Sequence, residues 1–577
     1  MHLKKAFDKR KNRTYLSIVH GYRDSEGKSR AKTVRSLGYL DELEKQYDDP
    51  IAHFTALAQS MEHERRLSIR RTITLDMNEL IEKDQVLRKN YGYVVFSKVY
   101  HELKIDRFLN NTRRHEKFEF NSESIMRLLI YTRLMYPSSK RGSFVQKSHF
   151  FEKFDFSIDD LYNALTHYDK IADSLQQHLH EQVVGQYNRK TDLVYYDVTN
   201  YYFETDKQDD FRKRGCSKER RKDPIVQMGL LMDTASLPIS YKLFPGNTHD
   251  SQTLMPVLSE VKKRFGTKRI IVVADKGLNS GDNIVFNTTL GDGYIFSKSV
   301  RSASEEFKSW ILDETGYRSK GKNYKFKSKF VPDAKIQYTS DEIGKNGKNK
   351  KKYTKVEQKW IRFYSEKYAK RAKHKRDEVI AKATKLIENP GKYKSNCEFG
   401  VAGYIKNIKI DKETGEVLNI EDNLLLNEEK IAEEERLDGY YSIITNELDD
   451  SDEHIIEMYQ GLWQIEQSFM VTKSILEARP IYLHTKAHIN AHFLVCFISL
   501  LIARIVEKRL DRKYTIEQIV ETLEKVACSH LKENIWLLDY SDNLTDELNS
   551  VFGTEFGKKY ITLQDIKRSV AQLKIVT

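Results

Sequence analysis

Between Leu193 and Phe203 the chain reads Leu-Val-Tyr-Tyr-Asp-Val-Thr-Asn-Tyr-Tyr-Phe, an almost unbroken β-branched and aromatic run. Such a run predicts a strand covered on both faces. Strands are also predicted over Gln227 to Met232, Ile239 to Phe244, Ile270 to Ala274 and Tyr294 to Ser297, with Leu254 to Arg264 a helix between strands. Together they predict an α/β unit over 191–300. Ahead of it, from about 45 to 190, the pattern is helical. Apolar residues recur there at three- and four-residue spacing, in Leu80 to Leu109 and Ile125 to Leu134. Residues 301–445 lose that periodicity and read as mixed structure rich in Lys and Asn. Tyr440 to Thr445 reads as strand, and 452 to the end as helical. Near the start, Tyr15 to Tyr22 alternates, Asp24-Ser-Glu-Gly27 reads as a turn, and Lys32 to Leu37 returns as a second strand. No internal repeat is evident.

Composition narrows the class. In 577 residues, 33 Tyr, 27 Phe and 39% hydrophobic positions exclude wholesale disorder, and only 9 Pro exclude a Pro-rich architecture. The four cysteines (Cys216, Cys397, Cys496, Cys528) form no CxxC pair, which argues against a zinc ribbon or disulfide framework. A reducing cytoplasm is the expected compartment. The N-terminus has no apolar signal-peptide core, and the longest apolar run, Phe493 to Ala503, is short of the ~20 residues a membrane span needs. It is expected to be a buried helix, with no membrane partner.

Charge adds more once it is located. The chain carries 97 Lys and Arg against 84 Asp and Glu, a formal net charge of +13. Residues 1–40 hold eleven Lys/Arg against three acids, and residues 341–376 fourteen against four. These two segments exceed the surplus of the whole chain, so the remainder is slightly acidic. A smaller run, Arg212 to Lys222, has seven bases and one acid. A basic surplus so concentrated fits a polyanion-binding surface. The basic hairpin, with Arg13, Lys32 and Arg35, is of a kind that enters a DNA groove; its plain alternative is an edge hairpin without a ligand. For Lys350 and Lys351, in the insert's Lys-rich run, the alternative is a solvated loop.

Three carboxylates stand in unexpected places. Asp197 interrupts the strand at 193–203, where an ionised group is costly unless paired or bound to a cation. Asp275 ends the strand at 270–274, the strand end where α/β sheets gather ligands, although it equally suits a cap for a helix near Ser280 to Phe286. Tyr459, Glu466 and Lys473 are spaced by seven along a helical segment, with Leu462 and Trp463 between them on the same face. The plain alternative there is an amphipathic helix with Leu462, Trp463 and Phe469 in the core. Taken together, Asp197, Asp275 and Glu466 point to a two-metal site for phosphodiester chemistry. Hard oxygen donors without a His or Cys cluster favour Mg²⁺, with Mn²⁺ as substitute, over zinc.

The chain resembles the DDE transposases of bacterial insertion sequences, in the insertion-sequence-four superfamily. The matching pieces are D-V-T at 197–199, F-P-G-N-T-H-D at 244–250, V-V-A-D-K-G at 272–277 and the Tyr459/Glu466/Lys473 helix, whose family signature is Y-x2-R-x3-E-x6-K. Leu462 stands at the usual Arg position. The resemblance implies a ribonuclease-H-like α/β core with Asp197, Asp275 and Glu466 as catalytic metal ligands for two Mg²⁺ ions. It implies a large insertion between Asp275 and Glu466, and helical N- and C-terminal regions. It also implies double-stranded DNA at transposon ends and target as partner, and a homodimer that pairs two ends. Nicking by water and attack by the freed 3′-hydroxyl are implied as well, through a hairpin in many members, with an aromatic ring holding a flipped base. Trp463, Trp310 and Trp360 are the candidates for that ring. Tyr459, Lys473, Trp463, Thr199 and His249 are expected near the DNA. His249 reads equally as a plain loop residue.

The expected organisation is a DNA-binding hairpin over 1–45 and a helical region over 46–190. The core is expected over 191–300 and 446–510, interrupted by the insertion at 301–445, with a helical C-terminal region over 511–577. The expected function is a transposase acting at terminal inverted repeats. A DNA-binding derivative that has lost catalysis, and a ribonuclease-H-like nuclease without strand transfer, remain as alternatives.

Overall fold

The computed structural model describes all residues except 24–27, 68–71, 75, 115, 219–220, 320–322, 345–346, 389–400, 402, 411–416 and 575–577. The expected turn at Asp24 to Gly27 lies outside the described residues. The chain divides into two compact units, Met1–Lys83 and Asp84–Thr577.

The first unit is a three-stranded antiparallel sheet with helices, where a two-stranded hairpin was expected. Its strands are β1 (His2–Asp8), β2 (Arg13–Arg23) and β3 (Ser29–Tyr39), with β2 central. The additional strand β1 pairs from His2↔Val19 to Asp8↔Arg13. It has no apolar alternation to betray it, because an edge strand is held mainly through its backbone. Leu16 of β2 packs with Leu43 and with Phe54 of the helix Pro50–Leu67. That helix belongs to the sheet's own unit, so the boundary expected at 45 moves to Lys83.

The second unit is mixed α/β around a sheet of nine strands among the described residues. Following β4 (Arg88–Asn90), the chain supplies β5 (Leu193–Tyr202), β6 (Ile225–Asp233), β7 (Pro238–Pro245), β8 (Ile271–Ala274) and β9 (Gly293–Lys298). The insertion supplies β10 (Arg318–Ser319), β11 (Tyr324–Ile343), β12 (Asn349–Ser365) and the separate pair β13 (Ile405–Ile410) and β14 (Val417–Leu426). The chain then returns as β15 (Tyr440–Thr445). The sheet order is β10-β11-β12-β15-β9-β8-β5-β6-β7. Strands β5, β8 and β9 run parallel, while β6, β7, β15, β12 and β11 join antiparallel. The segment expected as a separate insertion therefore lengthens the central sheet. One of its helices, Glu366–Glu388, is Lys-rich.

Side chains of β5 alternate between two cores. Tyr195 and Tyr201 enter the large core shared with the helices, and Tyr196 and Val198 the core against Leu254–Phe265. The large core is centred on the helix Lys486–Arg509. This helix is long and apolar enough to cross a bilayer, but 94% of its most apolar window is buried inside the protein. The expectation of a buried helix there holds.

Two further readings change. Residues 80–87 are not helical, and Leu80 and Ile81 are exposed; the helices expected from Leu80 begin at Val94. The all-helical C-terminal region contains β16 (Ala527–Lys532), β17 (Ile535–Leu538) and β18 (Tyr560–Thr562). These assemble with β4 in the order β18-β17-β16-β4. β4 and β18 have three residues each, β17 four and β16 six, too short for a two-residue period to register.

Phe497 of the central helix is 1% exposed and its ring lies 5.1 Å from that of Tyr241 on β7. Phe497→Ala is expected to cost about 3–5 kcal/mol. Urea unfolding of the variant and parent measures this; a loss below about 1 kcal/mol contradicts the packing.

Candidate functional site

Strands β5 and β8 pair in parallel, with Tyr196 opposite Ala274. The next residue on each strand is a carboxylate, so Asp197 and Asp275 emerge side by side. Adjacent strands are about 4.8 Å apart. Asp197 is part-buried, and its Oδ1 accepts a hydrogen bond from the Val198 amide at 2.7 Å. Burial raises its carboxyl pKa to about 6; Lys218 opposes that rise, and Asp275 and Asp250 add to it. Asp275 Oδ1 accepts from the Ser297 hydroxyl at 2.8 Å. The cap of the helix Gly281–Thr289 is Ser280, so the capping role weighed for Asp275 falls to another residue.

Asp250 closes the F-P-G-N-T-H-D stretch, next to His249. It lies beside Gly277, close behind Asp275, and burial raises its pKa too. The acidic group brought together is thus Asp197, Asp275 and Asp250. Its cation is Lys218, from the basic run Arg212 to Lys222, whose ammonium donates to the Val198 carbonyl. Only the F-P-G-N-T-H-D motif and the basic run pointed toward these two residues. Nothing in the sequence fixed the distance from their loops to Asp197.

The signature segment crosses the β5 face that carries Asp197. It comprises a helix Asp452–Gln460, a break at Gly461 and Leu462, a helix Trp463–Met470 and a π-turn Val471–Ile475. Tyr195, Asp197 and Tyr201 share that face. A Cβ at Gly461 would collide with the Tyr195 hydroxyl, so glycine is required where the segment meets the strand. Further on, the Tyr201 hydroxyl bonds Thr472 at 2.7 Å. Tyr459 is largely buried, held by Ser297 and close enough to Asp275 and Glu466 for both to raise its phenol pKa further. Lys473 lies 5.6 Å from the Tyr201 ring, and burial and Lys218 lower its pKa to about 8.

Several expectations are corrected. Glu466 is exposed, on the segment whose Tyr459 is within electrostatic reach of both Glu466 and Asp275. Among the described residues no three of His, Cys, Asp and Glu form a ready-made metal cluster. Asp197 and Asp275 nevertheless fit a divalent cation in donor chemistry, as adjacent hard-oxygen groups whose mutual repulsion a cation relieves. Leu462 is buried in the core and Trp463 is 52% exposed, so the break in the helix separates two residues expected on one face. Thr199 is buried and offers no surface for DNA. His249 is exposed, in keeping with a loop residue.

Trp310 and Trp360 are packed together with Phe307 and covered by cations. Lys298 and Lys329 lie over the Trp360 ring at 4.3 and 4.8 Å, and Arg362 lies over Trp310. Their faces are already occupied, unlike that of Trp463. In the first unit, Arg13 bonds Asp41 and Glu42 and stacks on Tyr39, so its charge is spent internally. Lys32 and Arg35 are exposed on β3, with no acidic partner among the described residues. Lys350 faces Glu342 at 3.6 Å, and Lys351 is exposed nearby on β12.

A family model of the transposase DDE domain matches residues 189–502, more than half of the chain, and the chain belongs to the DDE transposases. Residues 3–71 match the N-terminal domain of IS1634 family transposases. No curated protein matches. Similar solved structures include a piggyBac transposase synaptic complex with hairpin DNA, at 10% identity. The alignment covers 75% of this chain and 78% of that one, with a TM-score of 0.32. A Mos1 transposase paired-end complex with the left transposon end is 16% identical over 31% and 60% of the two chains, with a TM-score of 0.14.

Because the folded-state pKa of Asp197 lies above its ordinary value, folding disfavours its ionised form. The cost is full at pH 7.5 and disappears as the carboxyl protonates in both states, below about pH 4. In metal-free buffer Asp197→Asn is therefore expected to stabilise the fold at pH 7.5, by at most about 3 kcal/mol. The gain should shrink as pH falls through 6. Urea unfolding at pH 7.5 and 4.5 tests this; an equal effect at both pH values contradicts it.

Proposed function

We propose that this chain is the transposase of a bacterial insertion sequence, binding the terminal inverted repeats as double-stranded DNA and cutting and joining them with a ribonuclease-H-like core. The observation that carries the reading is the pair Asp197 and Asp275, abreast on adjacent parallel strands and flanked by Lys218 and Lys473. The order β7-β6-β5-β8-β9, with the first three antiparallel and the last two parallel to β5, supports the fold assignment.

In this reading Asp197 and Asp275 hold the metal. Glu466 is the third carboxylate, supported by its seven-residue spacing from Tyr459 and Lys473, which reach the surroundings of the other two. Two Mg²⁺ ions, for which Mn²⁺ substitutes, would supply Lewis acidity and an activated water at these carboxylates. Lys218 and Lys473 set positive charge where a scissile phosphate must sit, and Tyr459 offers it a hydroxyl. Water attacks phosphorus at the element end and the 3′-oxygen leaves with a proton. That 3′-hydroxyl then attacks a phosphorus of the opposite strand, giving a hairpin, or of the target, giving a joined product; in each case the 3′-oxygen of the attacked strand leaves and takes up the proton. Exposed Trp463 is the ring best placed among the three tryptophans to stack on an unpaired base. Lys32, Arg35, Lys350 and Lys351 grip the backbone away from the chemistry. Two copies bring two ends together, in the cytoplasm.

Asp197→Ala and Glu466→Gln are each expected to reduce Mg²⁺-dependent cleavage of end-bearing DNA to background while leaving end binding unchanged, by gel assay. Metal-dependent cleavage that persists in both variants overturns the site. Binding without cleavage by the parent in Mg²⁺ and Mn²⁺ makes it a binding protein only, and nicking without joining makes it a nuclease. Replacing Lys32 and Arg35 together by Ala is expected to weaken binding to every sequence alike. The slope of log K against log salt should fall by about 2; an unchanged slope removes β3 from the interface.

A further inference from the structure

A cavity of about 140 Å³ lies between the residues that follow the signature segment, 477–483, and the helices carrying Arg133, Lys140 and His492. One water needs roughly 10–15 Å³ of such space, so a multi-atom ligand fits. The lining combines buried residues, among them Arg133, Lys140 and His492, with exposed ones, among them Ser139, Glu477 and Tyr482. Lys140 is 4% exposed, and so is Arg133.

The hydrogen bonds fix what these groups have left to give. His492 Nε2 lies 3.0 Å from the Ala478 carbonyl, which it must serve as donor. Its Nδ1 is then a lone-pair acceptor, and it receives one proton of the Lys140 ammonium at 3.4 Å. Burial and the cations Lys140 and Arg133 keep this imidazole neutral. Among the described residues no other acceptor is within hydrogen-bond distance of Lys140 Nζ, and no carboxylate acts to raise its pKa, which burial lowers to about 7. Arg133 gives its terminal nitrogens to the carbonyls of Leu476, Glu477 and Ser138 at 2.9–3.1 Å, and its Nε has no acceptor. Arg479 also lines the cavity.

Two buried cations lining a cavity whose one carboxylate, Glu477, is exposed are unstable without a nearer counter-charge. A structural purpose alone would be served better by an apolar residue at 140. We propose that this cavity is a phosphate-binding pocket, taking a phosphoryl group on Lys140 with Arg133 and Arg479 completing the positive surround. The cavity stands close to the strand that carries Asp197, because the Ile481 amide donates to the Tyr202 carbonyl at the end of β5 and Arg479 lies 5.6 Å from the Tyr202 ring. A backbone phosphodiester of bound nucleic acid and free phosphate present the same chemistry to it.

The test uses full-length protein without nucleic acid. Thermal unfolding is followed with increasing sodium phosphate against sodium chloride at matched ionic strength, since a ligand of the folded state at free concentration L stabilises it by RT ln(1 + L/Kd) and so raises Tm with ligand concentration. Phosphate is expected to raise Tm above chloride, with affinity weakened about ten-fold or more in Lys140→Met. Lys140→Met keeps the aliphatic stem and gives up no ion pair; if it fails to fold, Arg479→Gln at the rim is expected to weaken phosphate in the same direction. No phosphate-specific shift in the parent, or an equal shift in parent and variants, overturns the pocket. DNA binding then identifies the source. A salt slope lower by about 1 in Lys140→Met assigns the pocket to a backbone phosphate, and an unchanged slope assigns it to free phosphate. The phosphate measurement contains no DNA, so its failure is separate from any failure of the transposase reading.

Discussion

Two carboxylates placed abreast inside a sheet form the constraint around which the second unit is built. Parallel pairing of β5 and β8 puts Asp197 and Asp275 in neighbouring positions; Asp275 is exposed just past the end of β8, but burial leaves Asp197 little bulk water to spread its charge. The surroundings answer with single, specific contacts: the Val198 amide on Asp197, the Ser297 hydroxyl on Asp275, and the ammonium of Lys218 nearby. These offset burial only partly, which is why the Asp197 carboxyl stays up near 6. A site left with surplus negative charge is primed for a cation, and stability is forgone to keep it so.

The covering segment has to reach this face without sealing it. Gly461 allows the close approach at Tyr195, and Tyr201 with Thr472 anchors the far end. Between these anchors the helix breaks and restarts. Leu462 therefore turns into the core while Trp463 turns out. On the other side the insertion widens the same sheet with β11 and β12. Close approach recurs where a Cβ at Gly281 would meet the Gln337 carbonyl of β11. The insertion is thus tied into the sheet that carries the site, and its Lys-rich ribbon end extends beyond the strands that pair with β15.

Legibility followed the strength of the burial signal. Strands β5 to β9 were readable because nearly every residue in them is covered, and a carboxylate in such a run stands out, which exposed Asp197 and Asp275. Strands β1, β4, β16, β17 and β18 were not readable, being short or polar elements held mainly by backbone pairing. The mixed α/β class was legible; the strands contributed by the insertion were not, because half-exposed ribbons rich in Lys resemble loops. In the site, Asp250 and Lys218 come from irregular segments where no period reports on direction. The seven-residue spacing of Tyr459, Glu466 and Lys473 was legible as one stripe, yet a single stripe presumes one straight helix, and the break at Gly461 falsifies that premise.

The same break bears on Leu462. In the family that the chain resembles, an Arg stands there. Here the side chain faces the core, where a guanidinium would need a buried acceptor, so leucine is the residue the local backbone tolerates. Positive charge near Asp197 comes instead from Lys218, carried on the basic run between β5 and β6, and from Lys473 one π-turn beyond the second helix. Burial and Lys218 both lower the pKa of Lys473, so the pair gains most when an anion sits between them. A cation required by the chemistry can therefore move to a different element, provided the backbone brings that element to the same carboxylate.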